Sequence, residues 1–139
     1  MSDRAVAGTL VDSNVLLDIL TDDSRWSSWS SDALAAAADD GPLWINPVVY
    51  AEASTRFSRI EDLESALPAR DFRRAALPWE AAFLAGKAYL RYRRRGGARS
   101  SPLPDFFIGA HAAVSGLRLL SRDRGRYATY FPTVPLVTP

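Results

Sequence analysis

The 139-residue sequence contains no cysteine, one histidine (His111), one methionine and one lysine (Lys87). Without cysteine there is no disulfide framework, zinc ribbon, thiol nucleophile or iron–sulfur cluster. One histidine cannot build an HExxH site or a three-histidine zinc site. Long apolar runs are also missing. The longest uncharged apolar stretch, residues 106–117, includes His111 and Ser115 and falls short of the roughly 20 residues that cross a bilayer. The N-terminus carries Asp3 and lacks the basic-then-apolar layout of a secretory signal, so a cytoplasmic protein without a membrane partner is expected.

What is present suits an ordinary globular fold, with 47% hydrophobic and 24% charged residues, and one domain over residues 1–139 is expected. The formal net charge of +1 conceals a polarity: residues 1–69 carry 4 basic and 12 acidic side chains, residues 70–139 carry 13 and 4. An acidic half and a basic half together suit a metal-binding pocket with a basic approach for nucleic acid better than the near-neutral total suggests.

Short apolar segments alternate with helical patterns. Residues 9–11 read as a strand, followed by a helix with an apolar face from Val15 to Leu20 and Asn14 as its N-cap. A helix over 26–38 stops at Asp39-Asp40-Gly41-Pro42, and residues 43–45 form a second strand. Asn46-Pro47 opens a helix to about residue 58, since proline at the first helical position forfeits no hydrogen bond. A short helical segment over 60–67 and a weak strand over 72–77 precede a long helix from 78 or 79 to 94, ended by Gly96-Gly97. A loop over 98–104, a helix over 105–115 and strands over 117–120 and 134–137 complete the chain, with no internal repeat. This alternation predicts an α/β sandwich around a short, mainly parallel sheet.

In such a fold, ligands bind in the crevice beyond the carboxyl ends of the strands. Asp12 and Asp123 each follow a strand, and the helices that begin on that side can bring Asp105 and Glu52 to the same crevice. Clustered carboxylates repel unless a hard divalent cation draws them together. Mg²⁺ or Mn²⁺ held by such a set supports in-line phosphodiester hydrolysis without Cys or His. Taken singly, each acid also suits a cap or turn. Asp18 fits a solvent-facing position of the first helix, and the pairs Asp22-Asp23 and Asp39-Asp40 fit turns and helix ends.

Four segments carry a resemblance: Leu10-Val11-Asp12-Ser13-Asn14-Val15-Leu16-Leu17, Pro47-Val48-Val49-Tyr50-Ala51-Glu52, Leu103-Pro104-Asp105-Phe106-Phe107-Ile108-Gly109-Ala110-His111-Ala112 and Leu120-Ser121-Arg122-Asp123. In this order and spacing they resemble the PIN-domain ribonucleases, and within them the VapC-type toxins of VapBC toxin–antitoxin systems. The resemblance implies a PIN-like α/β/α sandwich, a Mg²⁺- or Mn²⁺-dependent endoribonuclease, a VapB-like antitoxin partner and a homodimer. It makes Asp12, Glu52, Asp105 and Asp123 the acidic quartet, with Asn14 and Ser121 in support. The ion would be held chiefly by Asp12, Asp105 and Asp123, with Glu52 as ligand or as positioner of the attacking water. Ser13 stands where many members have Thr.

Other features divide between structure and function. His111, mid-helix among apolar neighbours, reads as a hydrogen-bonded structural histidine, and no G-x-S-x-G elbow or Walker glycine pattern accompanies it. Trp26 and Trp29, and Phe83, Tyr89, Leu90 and Tyr92 on the long helix, fit either the core or a partner groove. Arg91, Arg93, Arg94, Arg95 and Arg99 exceed what helix capping requires and lead towards Asp105, so they are candidates for holding the RNA backbone. The competing reading is a PIN-like binding module that acts mainly within an antitoxin–operator DNA complex, with little hydrolysis. Cleavage of DNA or structured flaps would use the same metal chemistry.

Overall fold

The computed structural model describes residues 7–97 and 103–139; Arg99 lies outside the described residues. Five strands form one sheet: β1 (Thr9–Val11), β2 (Leu43–Ile45), β3 (Phe72–Arg74), β4 (Arg118–Leu120) and β5 (Leu136–Val137). Their order is β3-β2-β1-β4-β5 and every pairing is parallel, sharpening the expectation of a mainly parallel sheet. The seven helices among the described residues are α1 (Ser13–Leu20), α2 (Ser27–Asp40), α3 (Pro47–Ser54), α4 (Ile60–Ala66), α5 (Trp79–Arg94), α6 (Leu103–Ser115) and α7 (Gly125–Tyr130). They cover the sheet as an α/β/α sandwich, as predicted. None is long and apolar enough to cross a membrane.

The central strand explains the sheet's position. Thr9, Leu10 and Val11 are all fully buried, as a parallel strand covered on both faces must be. Leu119 and Leu120 on one side and Leu43 and Ile45 on the other continue this core. From β1 the chain winds outward through β2 to β3, then crosses to β4 on the opposite side of β1. The direction of winding therefore reverses between β1 and β4, which opens a crevice at the carboxyl ends of those two strands. A backbone bond from Asp12 N–H to Leu120 C=O, 2.9 Å, carries their pairing up to its rim.

Several boundaries differ from the sequence expectation. The third helix ends at Ser54 rather than near 58, and β3 keeps only Phe72–Arg74. Asp12, not Asn14, is the N-cap of α1, its carboxylate accepting the Ser13 N–H at 2.8 Å. Asn46 does cap α3, accepting from Val49 N–H, with Pro47 in the first turn. The long helix α5 stops where expected, at Gly96 in the left-handed region with φ 86°. Helix α7 was not anticipated.

Candidate active site

The crevice between β1 and β4 is built around Asp12, 3% exposed. Its Oδ2 accepts from Ser121 Oγ at 2.8 Å and from the Tyr127 hydroxyl at 3.0 Å. Burial is the main reason its carboxyl is pushed above the usual range, with Glu52 adding repulsion against the hydrogen bonds that favour the anion. Ser121, fully buried just after β4, also accepts from Asp123 N–H at 3.0 Å and from Asn14 Nδ2 at 3.3 Å. Asn14 completes the link by accepting the Arg122 N–H at 3.2 Å. The two supporting residues thus knot the end of β1 to the end of β4.

Glu52 reaches the crevice from α3, where Ser13 Oγ donates to its Oε1 at 2.7 Å. Asp105 enters in the first turn of α6, where the helix dipole favours an acid. Its carboxyl is nevertheless pushed up to about 6, first by burial and then by the charge of Asp12, with Glu52 and Asp123 adding to the shift and Arg126 opposing it. Asp105 therefore lies within electrostatic reach of Asp12, Glu52 and Asp123.

Two residues that the sequence did not single out complete it, both on α7. Arg126 pairs with Asp105, and its Nη1 lies 3.9 Å from Asp123 Oδ2. Tyr127 is fully buried, and its hydroxyl is held far above the usual phenol range, chiefly by burial and then by Asp12, so it remains a donor. The available signal was the spacing of Tyr127, Tyr130 and Phe131 along one helical face, beginning four residues past Asp123.

The donor set is all oxygen, and burial with mutual repulsion makes its negative charge costly, a cost that a hard cation would relieve. Asp12, Asp105 and Asp123, with Glu52 alongside, are the oxygen donors that the crevice offers such an ion, but among the described residues no three acids stand close enough together to hold one as placed. Arg126 is the cation that stands among them instead.

The remaining candidates sort clearly. Arg91, Arg93 and Arg94 lie in the last turn of α5 and Arg95 at its C-cap. Arg91 and Arg95 sit over the Tyr130 ring at 5.9 and 5.7 Å, and Arg93 lies 6.0 Å from that of Tyr89. Those rings belong to the aromatic cluster of Tyr89, Tyr92, Phe106, Tyr130 and Phe131, which packs α5 against α6 and α7. Tyr89 and Tyr92 are thus packing residues, whereas Phe83 and Leu90 are exposed. Trp26 and Trp29 meet edge to face at the start of α2. His111 is buried and pairs through Nδ1 with Asn46 Nδ2 at 3.0 Å, as a structural histidine should. Asp18 departs from expectation. It is buried on α1, where it accepts from Ser30 Oγ and from two nitrogens of Arg122.

Comparison with known proteins agrees with this architecture. The PIN domain profile matches residues 9–132. Among solved structures the chain is similar to VapBC2 from Rickettsia felis, solved bound to a DNA fragment from their promoter, with TM-score 0.68, 16% identity and coverage of 94% of this chain and 97% of that one. It is similar to a toxin–antitoxin complex from Klebsiella pneumoniae (TM-score 0.66, 20% identity, coverage 94% and 97%). The same holds for VapBC-1 from nontypeable Haemophilus influenzae (TM-score 0.68, 13% identity, coverage 94% and 96%). No curated protein matches it by sequence. The family match spans most of the chain, from β1 and the Asp12 crevice through α7, and on that ground the chain belongs to the PIN domain family.

Proposed function

We propose that this chain is a Mg²⁺- or Mn²⁺-dependent endoribonuclease and the toxin of a toxin–antitoxin pair. The observation that carries the reading is the meeting of Asp12, Glu52, Asp105 and Asp123 at the point where the sheet's winding reverses. PIN domains are generally nucleases, and this one keeps its acids. Asp12, Asp105 and Asp123 would hold the ion, which when bound supplies positive charge at the scissile phosphate and lowers the pKa of water. Ser121, Tyr127 and the Ser13 N–H fix the Asp12 carboxylate in one orientation. Ser13 Oγ steers Glu52, which can orient the attacking water and accept its proton. Asn14 and Ser121 keep the two strand ends in register. Arg91, Arg93, Arg94 and Arg95, at the end of α5, would offer positive charge to an RNA backbone.

The partner reading draws on the relatives, which were solved as toxin–antitoxin complexes. An apolar groove of about 390 Å³ adjoins Glu52, walled by Pro47, Val48, Leu103, Pro104 and Phe107, and would accept apolar side chains of a VapB-like antitoxin. Trp79 and Phe83, exposed one turn apart on α5, support a homodimer or a further protein contact. Controlled expression followed by mapping of RNA ends tests the enzyme, with Asp12→Asn as control. Metal-dependent cuts by the wild type alone are expected. Equal cutting by the variant would sink the assignment. Intact RNA in both, with operator DNA bound only in an antitoxin complex, would favour the binding-module reading, for which the promoter DNA in the Rickettsia felis complex is the supporting observation.

A further inference from the structure

Arg126 is the cation that the structure pairs with the acidic quartet among the described residues. Its side chain is 22% exposed. One Nη1 reaches both Asp105 and, at 3.9 Å, Asp123, so two of the three carboxylates assigned to the ion share one guanidinium. The guanidinium rests 5.6 Å from the Tyr92 ring and 5.8 Å from the Phe106 ring. Both rings are set within the aromatic cluster between α5, α6 and α7, so the platform is rigid although the carboxylate contact is made by a single nitrogen. A divalent ion on Asp105 would compete with the guanidinium for the same carboxylate charge, and at that separation the two cations repel.

We propose that Arg126 is an exchangeable counter-cation of the crevice: it holds Asp105 against a divalent ion and must release it for the ion to bind, thereby setting the metal concentration at which the site loads. This rests on the metal-site reading above. The released guanidinium keeps its seat on Tyr92 and Phe106, because contact with the rings does not require Asp105. The device makes α7, six residues long, the element that regulates metal entry.

The test uses the full chain and Mn²⁺ alone, followed by titration calorimetry. Arg126→Met removes the charge while a flexible apolar stem still covers the rings. Its Mn²⁺ dissociation constant is expected to fall roughly three- to tenfold, the scale of a partly exposed charge pair, whereas Arg126→Lys stays near wild type. A merely structural role would weaken binding, not tighten it. Unchanged or weaker binding by folded Arg126→Met overturns the proposal. If Asp105→Asn abolishes Mn²⁺ binding while Arg126→Met leaves it unaltered, only the counter-cation falls. If wild type and variants all fail to bind, the metal-site reading falls with it. Should Arg126→Met not fold, the arginine Nε–H resonance of wild type, assigned with Arg126→Lys, is followed during Mg²⁺ titration. It should shift with occupancy, and an unmoved resonance overturns the proposal.

Discussion

Arg122 and Arg126 stand one helical turn apart in sequence, and each grips an aspartate, yet the two regions they close differ in kind. Around Asp18 the pairing is complete: Arg122 donates through Nε at 2.6 Å and Nη2 at 3.1 Å, Ser30 Oγ donates at 2.7 Å, and the carboxylate side chain is 4% exposed. Around Asp105 one nitrogen is divided between two carboxylates, and burial, reinforced by the negative charge of its neighbours, lifts the Asp105 carboxyl to about 6. A satisfied pair locks α1 to the β4–α7 segment and to α2; an unsatisfied one marks the place where something else is to bind. Equal chemistry, Arg with Asp, thus serves architecture in one region and exchange in the other.

The largest effect should come from Asp12→Asn. Losing that charge should cut the metal-dependent cleavage rate roughly 10²–10³-fold, as when one preorganised electrostatic group is removed, while thermal melting shows a fold at least as stable, because the buried carboxylate resists ionisation. Arg122→Leu should do the reverse. It leaves Asp18 buried without its cation, at a cost of about 3 kcal/mol in urea unfolding, with cleavage per folded molecule retained. Loss of activity without loss of stability would erase the contrast between the two pairs.

Gly109→Ala probes the platform beneath Arg126. A Cβ there would overlap the Phe131 ring, so overpacking should cost about 1–3 kcal/mol in the same unfolding assay. The pH response is smaller and carries a definite sign. Asp105 is raised from 3.8 to about 6, so the native state holds more protons than the unfolded chain between those values. Stability contributed by its neutral form is therefore present at the acidic end and lost as pH rises towards about 6. Melts of chelator-treated protein should show this fall in wild type and a flatter profile in Asp105→Asn. The least change is expected from Arg95→Gln, which should lower the salt slope of RNA binding by about one and leave stability alone.

Much of this was legible because it rests on local rules. Short runs such as Leu43-Trp44-Ile45, bounded by Gly-Pro and Asn-Pro, have few ways to fold, and an acid after a strand in an α/β chain faces the crevice. The misreadings share one cause. Asp18 looked solvent-facing because its partners, Ser30 and Arg122, lie 12 and 104 residues away. Asn14 looked like a cap because its actual partners, Ser121 and the Arg122 N–H, come from the turn after β4, which left Asp12 both to cap α1 and to head the site. Helix α7 went unread because Arg124-Gly125-Arg126 has neither a capping side chain nor a long apolar repeat.

By itself, then, the sequence determined the alternation of strands and helices, the four acids at their ends and the absence of thiol or multi-histidine chemistry. Hydrophobic period and residue type act within a few residues of chain and need no partner. Tertiary structure alone decided which charges are matched. Arg122 went to Asp18 and Arg126 to Asp105 and Asp123 because burial makes an ion pair's balance depend on everything packed around it, and that surrounding comes from segments far apart in the chain.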